Sequence, residues 1–275
     1  MATIGQIWKF LWEGVTTKQM DIQVLGAHDC ESQNSRLVSL LVDDVLALET
    51  GALTSSLSFP AQQKLEAILV THRHYDHIRD IPTIAFNLFL RGGTINVYSI
   101  SDVCEAITAH LLNGKLYSKF WEKPQGNPAV KFNIIEPGNP EQIQGYNVLA
   151  VPVNHSTPTV GYQITSPDGK VVFYAGDTGP GLTDCWRYVS PQLLIIEVTF
   201  SNRYEEFARE VKHLTPGLLK QELAVFREIK GYLPPVVLVH MNPEVEKEIE
   251  AEIAVVAESL NSSISLAYEG MQIHL

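Results

Sequence analysis

The segment Thr71–His77, with the sequence Thr-His-Arg-His-Tyr-Asp-His, constrains this chain more than any other. It directly follows an apolar run that predicts a buried strand. Three histidines and one aspartate in such a place need a purpose, because crowded imidazoles repel one another when protonated and a buried carboxylate needs a partner. A turn leaving the strand can direct His72 and His74 at one metal ion, and Asp76 and His77 at a second. The motif therefore predicts a metal site.

Short apolar runs of β-type residues alternate with helical patterns along the sequence, without repeats, low-complexity tracts or linkers. The sequence around Ser166–Lys170 predicts a hairpin with a Pro-Asp-Gly turn. This order of elements predicts a single domain over residues 19–275, built from two α/β halves that meet around Val130. The predicted strands are Asp21–Leu25, Arg36–Val42, Val45–Glu49, Ala67–Thr71, Thr94–Ile100, Val130–Ile135, Tyr146–Val153, Val160–Thr165, Val171–Ala175, Leu193–Val198 and Val236–His240.

Three helices are predicted from their boundary residues. Ser101 would cap a helix that runs to Asn113 and stops at Gly114. Two further helices are expected to begin at Thr215-Pro216 and at Asn242-Pro243, because proline suits the first helical position.

Residues 1–18 predict an amphipathic helix separate from the domain. Their apolar side chains recur at the spacing of one helix face, at Ile4, Ile7, Trp8, Leu11, Trp12 and Val15. Such a helix would dock on its own domain, and a contact in a homodimer or a lid near the active site are the alternatives.

The charge and cysteine content exclude several classes of protein. With 20 basic and 31 acidic residues, the net charge of −11 disfavours an extended nucleic-acid surface or anionic-lipid binding. Cys30, Cys104 and Cys185 are odd in number and widely spaced, which favours a reducing cytoplasm over a disulfide framework. Neither a signal peptide nor a run of about 18 apolar residues that could span a membrane is recognised.

Three more metal-capable residues, His155, Asp177 and His240, each end an apolar β-run. Together with the His-x-His-x-Asp-His motif, their order and spacing resemble the metallo-β-lactamase superfamily. The resemblance implies an α/β fold, the four-layer αββα sandwich. It also implies three ligand assignments: His72, His74 and His155 for one ion, Asp76, His77 and His240 for the other, and Asp177 as the bridge.

The implied ligand set has the chemistry of a catalytic rather than a structural site. Three imidazoles and a shared carboxylate leave an open position at each ion. Two divalent ions can bind one water and lower its pKa from 15.7 towards about 7. Imidazole and carboxylate ligation favours zinc, with manganese or iron as alternatives.

A second pair of segments narrows the resemblance to one branch. Ile195–Arg203 and then Lys212–Pro216, with the sequence Lys-His-Leu-Thr-Pro, resemble the class II cyclic-nucleotide phosphodiesterases. By that resemblance His213 is a catalytic histidine rather than a ligand, and Asp76 belongs to the catalytic residues as well as to the ligands. The implied reaction is hydrolysis of 3′,5′-cyclic AMP or GMP to the 5′-monophosphate, with His213 protonating the departing ribose oxygen.

Two alternative functions remain open from the sequence. Ribonuclease Z also has a histidine between the bridging aspartate and the last ligand, but it usually carries a basic, flexible arm that binds tRNA. Here Asp177 and His213 are only 213 − 177 = 36 positions apart, and the interval contains the acidic stretch Tyr204–Glu210. A diiron redox protein on the same fold is the other alternative, although no attached flavin-domain pattern is present.

The sequence departs from the family pattern after the third predicted strand. Glu49-Thr-Gly51 replaces the Asp-(small)-Gly of the family, so the groups that support the metal ligands are expected to differ. His28 follows the first strand and is interpreted as a hydrogen-bonded loop histidine, with a contact to the site as the alternative. The candidates for phosphate or base contacts are Asn202, Arg203, Phe86, Phe89 and Tyr117.

Overall fold

A computed structural model of the protein describes residues 20–275, and the predicted helix over residues 1–18 lies outside them. The described chain forms two seven-stranded sheets. The strands of the first sheet are β1 (Asp21–Gly26), β2 (Ser39–Val42), β3 (Leu46–Leu48), β4 (Ala67–Leu69), β5 (Ile95–Ser99), β6 (Val130–Ile134) and β14 (Gln272–His274). Those of the second are β7 (Pro140–Ile143), β8 (Tyr146–Pro152), β9 (Val160–Thr165), β10 (Val171–Tyr174), β11 (Leu193–Glu197), β12 (Val236–Val239) and β13 (Ile264–Leu266).

The two sheets have nearly the same topology. The first runs β14-β1-β2-β3-β4-β5-β6, antiparallel as far as β3 and parallel from β3 to β6. The second runs β13-β12-β11-β10-β9-β8-β7, antiparallel from β7 to β10 and parallel from β10 to β13. The chain crosses between the sheets at residues 135–139, and β14 then returns to the first sheet beside β1.

Alternating side chains along the strands place each sheet between two apolar layers. In β2, Leu40 and Val42 face the core between the sheets, whereas Leu41 faces the helices that cover the first sheet. The described helices are α1 (Leu53–Ser56), α2 (Phe59–Lys64), α3 (Tyr75–Ile78), α4 (Ile81–Phe89), α5 (Ser101–Ala106), α6 (Thr183–Tyr188), α7 (Glu205–Val211), α8 (Pro216–Lys230) and α9 (Glu246–Leu260). Helices α1–α5 cover the first sheet and α6, α8 and α9 the second, so the predicted αββα sandwich is confirmed.

Two of the predicted helix boundaries are wrong. Ile100 occupies the cap position before α5, and the helix changes at Ile107 into a π-helical segment that ends at Leu111, so no α-helix reaches Asn113. Asn242 and Val245 form a turn, and α9 begins only at Glu246.

Thr215 caps α8 as predicted, because its side chain accepts a hydrogen bond from the Leu218 amide. The predicted hairpin is also present, since β9 and β10 pair antiparallel through a turn closed between Ser166 and Lys170. Among the described residues, no helix is both long enough and apolar enough to cross a membrane.

Candidate metal centre

The first cluster of candidate ligands gathers residues that follow three different strands. His72 and His74 follow β4, His155 follows β8 and Asp177 follows β10. His74 Nδ1 lies 3.0 Å from His72 Nε2 and 3.2 Å from His155 Nε2. Asp177 Oδ2 lies 3.6 Å from His72 Nε2 and 3.9 Å from His155 Nε2. The two sheets therefore bring three imidazole nitrogens and one carboxylate oxygen to one point.

The second cluster shares Asp177 with the first. His77 Nε2 lies 3.1 Å from Asp76 Oδ2 and 3.3 Å from Asp177 Oδ2. His240, which follows β12, places Nε2 3.3 Å from Asp76 Oδ2 and 3.4 Å from Asp177 Oδ2. The same oxygen of Asp177 thus faces both clusters, as a bridging ligand requires.

The spacing of these atoms fits metal ions better than it fits hydrogen bonds. A tetrahedral ion with ligands at about 2.0–2.1 Å holds neighbouring ligand atoms about 3.3–3.4 Å apart, and the observed separations fall on either side of that value. Asp177 Oδ1 and both ring nitrogens of His77 are buried without a hydrogen-bond partner among the described residues. Buried polar atoms of this kind normally have partners, so the donor set fits divalent metal ions.

A buried carboxylate in the first half is linked to His72 through a threonine and lies near His77. Glu49 follows β3, and its Oε1 accepts a hydrogen bond of 2.5 Å from the Thr71 hydroxyl. Because that hydroxyl donates to Glu49, it accepts from His72 Nδ1 at 2.9 Å, which leaves His72 Nε2 free to face the cluster. Glu49 Oε1 also lies 3.4 Å from His77 Nδ1.

Glu197, at the end of β11, has the corresponding position in the second half. Its Oε2 accepts a hydrogen bond of 2.7 Å from the Thr199 hydroxyl, which in turn accepts from His240 Nδ1 at 2.9 Å. Its Oε1 accepts from His213 Nδ1 at 2.6 Å. Glu197, His213 and His240 lie close enough to resemble a third metal cluster, but these hydrogen bonds already account for the facing atoms.

Burial and neighbouring charge set opposite protonation tendencies in the two clusters. Burial, reinforced by His77, lowers the pKa of His72 well below its usual value. Burial also lowers the pKa of His74 and of His155. In the second cluster burial acts in the same direction, but the carboxylates of Asp177, Glu49 and Asp76 together outweigh it and raise the pKa of His77 well above its usual value. Neutral imidazoles are the form that binds metal, so the first cluster is already prepared for an ion.

His213, the predicted catalytic histidine, lies beside both clusters. The His213 ring centroid is 5.0 Å from that of His155 and 5.4 Å from that of His240. Burial lowers the pKa of His213, but the adjacent Glu197 carboxylate more than offsets this and raises it to about 9.

Three residues with strained backbone lie at the clusters. Glu49, Lys212 and His240 adopt left-handed conformations with φ of 62°, 60° and 59°, which costs a residue with a side chain about 1–3 kcal/mol.

Lys212 also makes two hydrogen bonds with His155. Its Nζ donates to the His155 carbonyl, and its own carbonyl accepts from His155 Nδ1. Gly176, at φ 65°, precedes Asp177 where an added Cβ would meet Thr71 at 2.8 Å.

The comparison with protein families identifies this arrangement. The model of the family described as "Beta-lactamase superfamily domain" matches residues 40–241, which is more than half of the chain. The chain belongs to the β-lactamase superfamily. The matched region begins in β2 and ends just after His240, so it contains all seven candidate ligands.

Individual members of the superfamily resemble the chain along most of its length. Ribonuclease Z from Listeria welshimeri is 22% identical over 259 residues, covering 75% of this chain and 80% of that protein. The structure of unliganded yeast PDE1 matches with a TM-score of 0.82 at 14% identity, over 94% of this chain and 99% of that one. Human tRNase Z, short form, matches with a TM-score of 0.66 at 18% identity, over 92% and 98%. The chain is a metal-dependent hydrolase of this superfamily, and these three proteins share its fold.

The residues outside the superfamily motifs mostly make structural contacts. His28 is a hydrogen-bonded loop histidine, with Nδ1 2.8 Å from Glu269 Oε1, and it belongs to neither cluster. Asn202 accepts a hydrogen bond from the Gly217 amide, and Arg203 pairs with Glu248 at 3.0 Å.

The three aromatic candidates do not join the clusters either. Phe86 and Phe89 pack against Phe120 in the outer helix layer, with ring centroids 6.2 Å and 5.3 Å from it. Tyr117 lies in the loop after the π-helical segment. Thr71, Thr199 and Glu197 were not expected to support the site, although the carboxylate of Glu197 at the end of an apolar run was a usable signal.

Proposed function

We propose that this hydrolase is a two-metal phosphodiesterase that cleaves a small phosphodiester, with a 3′,5′-cyclic nucleotide as its substrate. The observation that carries the proposal is the position of His213. Its Nδ1 is bound to Glu197, and its ring lies beside the rings of both His155 and His240. A histidine held in this way beside two metal clusters is suited to protonate a leaving group.

The proposed ligands divide as the two clusters do. His72, His74 and His155 would hold one ion, Asp76, His77 and His240 the other, and Asp177 both. Nitrogen donors with carboxylate oxygen favour zinc. When bound, such ions supply an activated water and offset the charge that develops on the phosphoryl oxygens.

The residues of the chain perform the proton transfer in this proposal. The Glu197 carboxylate orients His213, because Nδ1–H donates to Oε1 and Nε2 is left to face the substrate. The acid is the imidazolium form, which carries a second proton on Nε2. Among the described residues, no hydrogen bond to His213 Nε2 is present. His213 would donate its proton to the departing 3′ oxygen of the ribose, and Asp76 would place its carboxylate beside the second ion.

A small substrate fits the charge of the chain better than RNA does. A cyclic phosphodiester carries one negative charge, whereas tRNA carries dozens and normally needs a basic surface. The chain has 20 basic against 31 acidic residues. The resemblance of the Ile195–Arg203 and Lys212–Pro216 segments to class II cyclic-nucleotide phosphodiesterases favours the same substrate.

A ribonuclease Z activity is the second candidate, because the curated relative from Listeria welshimeri carries that name. Three free cysteines, Cys30, Cys104 and Cys185, agree with a cytoplasmic setting for either activity.

The deciding experiment is a side-by-side assay of cyclic AMP, cyclic GMP, bis(4-nitrophenyl) phosphate and a precursor tRNA at equal enzyme concentration. We expect both the cyclic nucleotide and the aryl ester to be cleaved, the aryl ester with less dependence on His213 because its leaving group is better. Trimming of the tRNA without cleavage of either cyclic nucleotide would establish the ribonuclease activity instead.

A further inference from the structure

A cleft opens on one side of the metal clusters, at His74. It has a volume of about 670 Å³, within the range of roughly 300–1,000 Å³ that is typical of small-molecule sites. We call it the Tyr75 cleft and define it by the side chains that enter the argument: Arg73, Tyr75, Ile78, Glu105, Ala109 and His110. Because His74 also belongs to the first cluster, a phosphate held there would place one of its substituents at the mouth of this cleft.

The two walls of the cleft differ in chemistry. One wall carries Tyr75, which stands between two candidate ligands in the sequence and is nevertheless 63% exposed. The opposite wall is formed by α5 and the π-helical segment Ile107–Leu111, where Ala109 is small and exposed. π-Helical turns within helices frequently occur at functional sites. The cleft thus combines an exposed aromatic side chain with a small exposed apolar residue, and its volume is sufficient for a flat ring.

The polar groups of the cleft are suited to one neutral heterocycle rather than to a chain of phosphates. Arg73 is the only Arg or Lys side chain among the described lining residues, and Asp102 neutralises it in an ion pair. Glu105 and His110 are exposed at the rim and offer hydrogen-bonding groups to the edge of a base.

We infer that the Tyr75 cleft is the nucleobase subsite of this enzyme and that Tyr75 determines substrate preference by stacking on the base. The inference rests on the proposed phosphodiesterase function and adds the place where the nucleoside binds. Base–aromatic stacking needs only the π-face that every base presents, so a preference for nucleosides over simple alkyl groups follows.

The test compares two esters with the same leaving group, thymidine 5′-(4-nitrophenyl phosphate) and methyl 4-nitrophenyl phosphate. We expect the wild type to prefer the nucleoside ester. In Tyr75→Ala the ratio of the two kcat/KM values, nucleoside over methyl, should fall about 5- to 100-fold through KM, the range for losing one stack. Tyr75→Phe, which keeps the aromatic ring, should have the same ratio as the wild type. Tyr188→Ala on α6, another tyrosine with a mostly exposed side chain, is the matched control and should leave it unchanged.

A second variant fills the cleft from the opposite wall, away from the candidate ligands. Ala109→Trp should lower the same ratio and should weaken binding of thymidine 5′-monophosphate, but not of inorganic phosphate, in calorimetric titrations. An unchanged ratio in both Tyr75→Ala and Ala109→Trp would overturn the subsite while leaving the phosphodiesterase function intact. A metal-loaded wild type that cleaves neither ester would contradict the proposed function itself.

Discussion

The two halves of the molecule supply their candidate ligands in different ways. The first half provides four of them within six residues of the segment Thr71–His77, all after β4. The second half provides only His155, Asp177 and His240, each from a different strand and up to 85 positions apart (240 − 155). A site made by two related sheets can therefore be compact in the sequence on one side and dispersed on the other.

The supporting carboxylates differ in what they serve. Glu49 reaches His72 through Thr71 and lies beside His77, so both of its histidines are candidate ligands. Glu197 reaches one candidate ligand through Thr199, but its direct partner is His213. The same buried carboxylate and threonine arrangement thus holds candidate ligands in the first half and, in the second, His213, the proposed proton donor.

The largest effect is expected where the halves meet, at Asp177. Asp177→Ala should lower turnover by more than about 10³-fold and reduce the occupancy of both metal sites, because one carboxylate oxygen faces both clusters. Elemental analysis of the purified variant tests this, with Asp184→Ala on the exposed end of α6 as the control. Retention of two ions in Asp177→Ala would contradict the bridging role.

His213→Ala should separate catalysis from metal binding. We expect turnover to fall roughly 10²–10⁴-fold, the usual range for a general acid, while the metal content stays at the wild-type level. His274→Ala, which changes an exposed histidine paired with Asp21, should behave as the wild type. Loss of an ion from His213→Ala would make this residue a ligand and remove the difference between Glu49 and Glu197.

The pair Glu49→Gln and Glu197→Gln tests the comparison directly. Glu49→Gln should weaken metal affinity about 10–100-fold, the usual effect of changing a group that orients a ligand. Glu197→Gln should mainly lower kcat, because its direct partner is His213. Chelator competition measures the metal affinity of both variants, and steady-state kinetics measures their kcat. Equal changes of both quantities in the two variants would show that Glu49 and Glu197 have the same role.

The smallest effect is expected at His28, whose backbone bridges Leu37 of the first half and Met241 of the second. Burial lowers the pKa of His28, but Glu269 and Glu246 outweigh burial and raise it. The resulting stabilisation is complete below the ordinary value of 6.5 and is lost as the pH rises through the raised value.

Glu269→Gln keeps an acceptor for His28 but removes the charge. When the pH is raised from about 6 to about 8, the unfolding free energy of the wild type should fall. That of Glu269→Gln should fall less, by a difference of about 1 kcal/mol or less. Denaturant unfolding at the two pH values measures the difference. Equal decreases in the two proteins would show that the charge of Glu269 contributes nothing to the pH dependence of stability.

The difference between the halves also explains what could be predicted from sequence. The motif from His72 to His77 was evident because contiguous residues leave one strand together. His155, Asp177 and His240 could be found because each ends an apolar run. Since β8, β10 and β12 run in the same direction, these ends lie at one edge of the sheet. Their assignment as ligands remains a prediction.

The supporting groups and the sheet edges could not be predicted in this way. Thr71 and Glu49 are joined by a hydrogen bond across 22 positions, and no spacing rule connects them. Edge strands such as Pro140–Ile143 and Gln272–His274 are short and largely polar, so they lack a hydrophobic period. The change from α- to π-helix at Ile107 has no marked residue that signals it.

The central claim is that two ions bind between the halves and share Asp177. A crystal structure of the metal-loaded protein, with anomalous data at the absorption edge of the metal, tests it most directly. We expect two peaks about 3.5–4 Å apart, one among His72, His74 and His155 and one beside His77 and His240, with Asp177 touching both. A single peak, or a peak between Glu197 and His213, would contradict the account.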